Sequence, residues 1–263
     1  LDWGKYRVEE TKVPDHYVDN YFSIEIDAYE NGATYEITVE NEPTKGFIRL
    51  TKTDRLNGNP IEGVRFDIYY NDEYGTGLAT TMVTDKDGIA ISEPLRKGKY
   101  IVREHGETMG YVFEEIALDA TVKSDETTEL AATNQPVMVR LKLYKRDAEE
   151  YEGDIADIST RGDGELTGAE FQALAGENIT DRQGNVLHAK GDVVIASVKT
   201  SGEDASVTTG ELWPGLYEIV ELSPPVGYRP SSGRFYVDAQ TAAFQSTEAV
   251  ITYDGLVTNK ILY

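Results

Sequence analysis

At 263 residues the chain has room for two ordinary domains, or for two and part of a third. Its 47 Asp and Glu outnumber 25 Lys and Arg, and the net charge of -22 repels phosphate backbones and anionic lipid, which argues against a nucleic-acid partner. The absence of Cys removes disulfides and thiolate metal sites, while 17 Tyr, 24 Gly and abundant Val, Ile and Thr favour strands.

No apolar run approaches the ~20 residues of a membrane span, and no basic and apolar leader opens the sequence. These residues are therefore expected to be soluble, with any export or anchoring signal lying outside them.

In chain order, residues 1–45 read as the second half of a domain. Tyr6, Val8 and Glu10 share one face of a predicted strand, and Asn41 follows 31 residues after Glu10. Residues 46–135 begin with Phe47–Lys52, where Ile48, Leu50 and Lys52 alternate onto the core face. Turns are predicted at Asn57-Gly58, Asp87-Gly88 and Lys97-Gly98. Tyr100, Val102 and Glu104 then share a face, and Asn134 closes the repeat 30 residues after Glu104.

Residues 136–263 begin again with alternation: Val139, Leu141, Leu143 and Lys145 face inwards, and parity selects Lys145 over Lys142. An acidic insertion, Ala148 to Gly164, has no counterpart in the preceding repeat and reads as a solvated loop or a contact surface. Helical periodicity is only local, as in Leu166 to Leu174. Tyr217, Ile219 and Glu221 share a face, and Asn259 follows 38 residues after Glu221. Many short strands between turns predict an all-β chain of tandem sandwiches. Short links containing Pro43 and Pro136 predict a stiff arrangement.

The recurring residue types imply a chemistry. Burial of an inward Lys lowers its pKa towards a neutral, nucleophilic amine, and burial of an inward Glu raises its pKa towards the protonated acid. A fold that holds that amine against an Asn carboxamide replaces a bimolecular encounter by an intramolecular one. The Glu can polarise the amide carbonyl and move protons as ammonia leaves. The product is an isopeptide bond between the first and last strands of a domain. By analogy with disulfide loop closure it is worth roughly 4–5 kcal/mol. Residues 1–45 hold the Glu and Asn without a preceding Lys strand, so they are expected to be cut from a longer domain or completed by another piece.

The segments YRVEETKVPDHY (Tyr6 to Tyr17) and YEIVELSPPVGY (Tyr217 to Tyr228) resemble the E-box of Gram-positive pilins. GFIRLTKTDRLNGNPIEGVRF (Gly46 to Phe66), and Leu141 to Phe171 ending in LTGAEF, resemble the opening of a Cna B-type or SpaA-type pilin domain. The resemblance implies immunoglobulin-like (Cna B-type) β-sandwiches: the C-terminal part of one in residues 1–45, one in 46–135 and one with the acidic insertion in 136–263. It implies bonds from Lys52 to Asn134 and from Lys145 to Asn259, promoted by Glu104 and Glu221, with Glu10 and Asn41 as the matching pair of the partial repeat. The second box, YIVREHGETMGY, lacks the Thr and Pro of the pattern after Glu104, which affects its turn. Neither a sorting signal nor a linking-Lys pilin motif is found.

Other signals are sparse. Arg161-Gly162-Asp163 is the tripeptide that integrins recognise, and its Gly-rich surroundings suggest a loop, where binding residues accumulate but Gly and Asp accumulate in any case. His16, His105 and His188 have no ligand spacing, and Asp85, Asp87 and Gly88 read as a turn rather than a calcium loop. No cofactor or metal is implied. The expected function is a self-crosslinked stalk or pilus-shaft segment on a Gram-positive cell wall, contacting neighbouring domains or pilin subunits. The alternative is an adhesive module that meets a host protein or glycan through loops. An enzyme with turnover has the least support.

Overall fold

The computed structural model describes residues 2–14, 17–18, 22–28, 30, 32–72, 75–147, 166–231 and 233–259. The predicted all-β character holds: among the described residues, one short helix accompanies nineteen strands.

Residues 1–45 contribute β1 (Gly4–Glu9) and β2 (Ser23–Ala28), an antiparallel pair. The next repeat holds β3 (Lys45–Asp54), β4 (Arg65–Tyr70), β5 (Leu78–Val83), β6 (Ile89–Ile91), β7 (Leu95–Arg96), β8 (Gly98–Glu104), β9 (Ala117–Val122) and β10 (Thr127–Asn134). One of its sheets runs β10-β3-β6, with β7 also on β3, and the other runs β5-β4-β8-β9. The last repeat holds β11 (Met138–Asp147), β12 (Glu170–Ala175), β13 (Ile179–Thr180), β14 (Val186–His188), β15 (Val193–Lys199), β16 (Ser206–Thr208), β17 (Gly215–Ser223), β18 (Phe235–Ala239), α1 (Thr241–Phe244) and β19 (Val250–Asn259). Its main sheets run β16-β11-β19 and β15-β12-β17-β18, and β13 pairs with β14.

Period-two alternation fixes which side chains enter each core. Ile48, Leu50 and Lys52 of β3 are buried, as are Phe66 and Ile68 of β4 and Tyr100 and Val102 of β8. In the last repeat Val139, Leu141 and Leu143 of β11 meet Phe171 and Ala173 of β12, Tyr217 and Ile219 of β17, Val237 of β18 and Val257 of β19 in one cluster. The parity reading therefore holds for both complete repeats. For the partial repeat it holds only in part, because Val8 is exposed. A two-stranded sheet has no second layer to cover its apolar face. The stretch Leu166 to Leu174 is a turn leading into β12, not a helix, in keeping with Phe171, Ala173 and Ala175 pointing inwards in alternation.

Two compact units emerge: residues 1–52, 60–106 and 115–132, and residues 53–59, 107–114 and 133–263. Within the second, Asp181 gathers the loop 53–59. It accepts hydrogen bonds from Asn57 Nδ2 at 3.2 Å and Asn59 Nδ2 at 2.5 Å, from the Gln183 N–H at 3.0 Å and from the Asn185 N–H at 2.9 Å. Burial alone would raise the Asp181 pKa, yet the side chains of Asn185 and Asn59 and these backbone donors hold it below the usual carboxylate value.

Candidate crosslinking sites

Lys52 is anchored at both backbone groups. Its N–H donates to Gly88 O at 2.7 Å, and its carbonyl accepts from the Ile61 N–H at 3.0 Å. Alternation then has no choice but to send the side chain into the core, where it is 0% exposed. Glu104 closes β8 opposite Phe66 of β4. Its carboxylate, 6% exposed, lies 2.7 Å from Lys52 Nζ, and the amine sits 5.7 Å from the centre of the Phe66 ring. A lone cation on this apolar floor would be costly, and the carboxylate offsets that cost.

The last repeat repeats the arrangement. Glu221 of β17 stands opposite Phe171 of β12, as Glu104 stands opposite Phe66. Lys145 Nζ lies 3.4 Å from Glu221 Oε1, with side-chain exposures of 0% and 1%. The amine also approaches Val257 O at 3.5 Å, and Glu221 Oε2 accepts the Ser231 N–H at 2.8 Å. Burial pulls the Lys145 pKa down from 10.5 to about 8, against the opposing pull of Glu221 and Asp147. At neutral pH this gives roughly 300-fold more neutral amine than an ordinary Lys.

The asparagines end the strands beside the lysine strands. β19 runs parallel to β11, with Lys145 opposite Val257 and Asp147 opposite Asn259. The side chain of Asn259 lies outside the described residues. In the preceding repeat the Phe47 N–H donates to Glu126 O and the Arg55 N–H to Asn134 O. These bonds step equally along β3 and β10, so that pair is parallel as well. Asn134 is buried. Parallel pairing of first and last strands requires the long path through the other sheet, which is why each Lys and Asn lie so far apart in sequence.

In residues 1–45 Asn41 Nδ2 donates to Glu10 Oε1 at 3.0 Å. The Glu10 Oε2 atom is buried and has no hydrogen-bond partner. The structure thus joins Glu to Lys in two repeats and Glu to Asn in the third.

Sequence reasoning missed a second layer. Asp54 and Asp147, each two residues after its Lys, are buried. Asp54 Oδ1 accepts the Leu56 and Asn57 N–H groups at 2.8 and 3.3 Å, and burial raises its pKa despite these bonds and the nearby Tyr111. Tyr228 Oη donates to Asp147 Oδ2 at 3.1 Å. Burial likewise raises the Tyr111 hydroxyl to about 12, with Asp54 as a neighbouring cause. The signal was present as Lys-x-Asp in both complete repeats and as a Tyr seven residues after each Glu. The first Tyr of each box plays a different part. Tyr6, Tyr100 and Tyr217 donate to the carbonyls of Asp2, Arg96 and Trp213, four residues upstream in each case. Such bonds fix the entry to the strand that carries the Glu.

Arg161, Gly162, Asp163 and the acidic insertion fall outside the described residues. Asp85 Oδ1 accepts the Asp87 and Ile89 N–H groups, both at 2.9 Å, and so serves a turn. His105 Nδ1 lies 2.6 Å from Asp67. Among the described residues no three His, Cys, Asp or Glu side chains group as a metal site, and no helix is long and apolar enough to cross a membrane.

Comparison with known proteins agrees with this architecture. No functionally curated protein matches the sequence. Among solved structures, the chain is similar to the Bacillus anthracis TIE protein, with 25% identity and a TM-score of 0.64 over 99% of this chain and 42% of that one. The chain therefore spans less than half of that relative. More distant likenesses include a C-terminal fragment of the pilus adhesin SpaC from Lactobacillus rhamnosus GG (14% identity, TM-score 0.42, 82% of this chain and 98% of that one). Another is the minor pilin GBS52 of Streptococcus agalactiae (17% identity, TM-score 0.32, 83% and 97%). The family described as SpaA, a prealbumin-like fold domain, matches residues 46–136 and 153–251. With most of its length covered by two matches to that family, the chain belongs to the SpaA prealbumin-like fold domains.

Proposed function

We propose that this chain is a load-bearing segment of a Gram-positive surface protein, stiffened by isopeptide bonds from Lys52 to Asn134 and from Lys145 to Asn259. The observation that carries the reading is the doubled Lys–Glu pair, 2.7 Å apart in one repeat and 3.4 Å in the other, each set against a buried Phe. A buried amine beside a carboxylate is suited to attack on a neighbouring amide, with Glu104 and Glu221 moving the proton from the amine to the departing ammonia, and at the second site burial already lowers the Lys145 pKa. Each site reacts once, so the chemistry matures the fold rather than turning over a substrate. A bond between the first and last strands would carry tension covalently instead of through the ladder of hydrogen bonds. In this role the chain is displayed outside the cell, anchored through other parts of the polypeptide, and its partners are adjoining domains or neighbouring pilin subunits.

Intact mass tests the reading. The purified chain should lack one ammonia per bond, two in all, and Glu104→Ala with Glu221→Ala should restore the encoded mass. The encoded mass in the unmutated chain would overturn the proposal.

A further inference from the structure

Two stretches of the repeat 46–135, residues 53–59 and 107–114, belong to the compact unit of the last repeat. Each adjoins one end of the Lys52–Asn134 site. The first follows Lys52 directly, contains Asp54, and is tied to Asn134 O by the Arg55 N–H at 2.9 Å. The second runs beside the residues that follow Asn134. The Val112 N–H donates to Gln135 O at 2.8 Å and the Val137 N–H to Gly110 O at 2.9 Å, while Tyr111 stands opposite Pro136 in an antiparallel bridge.

Three consecutive residues in the turn between β13 and β14 of the last repeat grip both stretches. Asp181 accepts the side-chain amides of Asn57 and Asn59 from the first. Arg182 donates to Met109 O at 2.9 Å and lies so close over Gly110 that a Cβ there would meet its Nε at 2.7 Å. Gln183 Nε2 donates at 3.2 Å to the Tyr111 hydroxyl, the neighbour of Asp54. The segment before β19 adds bonds from the Gly110 N–H to Ser246 O at 2.9 Å and from the Phe113 N–H to Thr247 O at 3.3 Å. At the other site, by contrast, Tyr228 donates to Asp147 and packs with Leu166 and Ala205, all of its own repeat. The two sites thus differ in what holds their second layer.

We infer, on the crosslinking reading proposed above, that Asp181, Arg182 and Gln183 are positioning residues for the Lys52–Asn134 bond, so that its closure depends on the folded last repeat. The reaction itself is unchanged: Lys52 Nζ bonds to Asn134 Cγ, the Cγ–Nδ2 bond breaks, and Glu104 passes the proton from the amine to the departing ammonia. What the turn supplies is alignment. Attack on an amide tolerates little error in distance or angle, and the two stretches set the end of the strand that carries Lys52 and the exit of the strand that carries Asn134. Residues 46–135 contain the three reacting groups but not the turn that steadies their surroundings. Because that turn is synthesised after Asn134, the bond closes once the last repeat has folded against both stretches, and it then fixes them covalently. The Lys145–Asn259 bond closes without the contacts that Arg182 and Gln183 make.

The experiment makes the whole chain by cell-free translation, samples it over time, and follows each bond separately by peptide mass mapping. In Arg182→Ala combined with Gln183→Ala, the Lys52–Asn134 bond should form at least about fivefold more slowly than in the parent, and the Lys145–Asn259 bond at the parent rate. Both side chains are exposed, so the fold is retained, which circular dichroism checks. Arg182→Lys with Gln183 intact keeps a donor for Met109 O and should recover most of the rate. A smaller effect at Lys52, or equal slowing of both bonds, overturns the positioning role and leaves the crosslinking reading standing. A parent chain without the Lys52–Asn134 bond removes the reading on which the role rests. Should the double variant lose its fold, Tyr111→Phe, which deletes only the oxygen that Gln183 reaches, decides by the same comparison.

Discussion

Lys145 Nζ and Glu221 Oε1 stand 3.4 Å apart in a core that excludes water from both, and burial has brought the amine down to about 8. Neither group would choose this position alone: each stabilises the other against desolvation, and the pair sets up a nucleophile beside a proton carrier.

Glu221→Ala should leave Lys145 as a buried amine without its carboxylate. The expected outcome is a mass one ammonia higher than that of the parent chain, after allowing for the substitution itself, with the bond between Lys52 and Asn134 retained. The thermal transition of the last repeat should fall by an amount consistent with about 3–5 kcal/mol for breaking a buried pair. Mass spectrometry and calorimetry of one sample check both.

The depressed amine gives a pH dependence of defined sign. In Asn259→Ala, Lys145 has no acceptor and stays unbonded. Its folded pKa of about 8 lies below the unfolded 10.5, so between these values the unfolded chain binds a proton that the folded chain does not. Stability should therefore rise with pH through this window, by about 1 kcal/mol per unit, and be lowest below it. Urea midpoints measured on either side of the window should show the slope in Asn259→Ala and not in Lys145→Met.

Asp181→Ala should loosen the second compact unit. It strands Asn57, Asn59 and Asn185, whose amides converge on this carboxylate. A loss of about 1–3 kcal/mol is expected, together with faster amide exchange in residues 53–59. Because the folded pKa lies below the ordinary 3.8, the contribution is complete above 3.8 and is lost as pH falls through the lower folded value. Equal stability of mutant and parent at neutral pH would contradict this role.

Gly88→Ala should cost more than Gly58→Ala. Both glycines have positive φ, +69° and +76°, but a Cβ at Gly88 would meet Lys52 O at 2.4 Å, whereas one at Gly58 meets nothing within 4 Å. The first substitution must push the strand that carries Lys52 aside, so a lower denaturation midpoint and slower loss of ammonia from the Lys52 site are expected. The second carries only backbone strain, about 1 kcal/mol.

Much of the fold was legible because strand alternation leaves little freedom. Once Ile48 and Leu50 face inwards, Lys52 must follow, and the same parity separates Lys145 from Lys142, which is half-buried and pairs with Asp204 at the surface. Parity could not foresee exposure of Val8, since facing inwards has meaning only when a second sheet supplies an inside. Asp54 and Asp147 escaped notice for a related reason. Each is one more acidic residue among 47 until the tertiary structure shows it buried, with Tyr111 or Tyr228 beside it.

The sequence by itself determined the strands, the repeated order of Lys, Glu and Asn, and the face on which each side chain lies, because these follow from a period of two and from turn residues placed locally. Only the tertiary structure decided which groups meet. The parallel pairing of β11 with β19, and the crossing of Glu221 from the opposite sheet, depend on contacts between segments distant in the chain, and no local period encodes them. The same long-range dependence brings Glu104 to Lys52 and Glu221 to Lys145, and in the first 45 residues it brings Asn41 to Glu10.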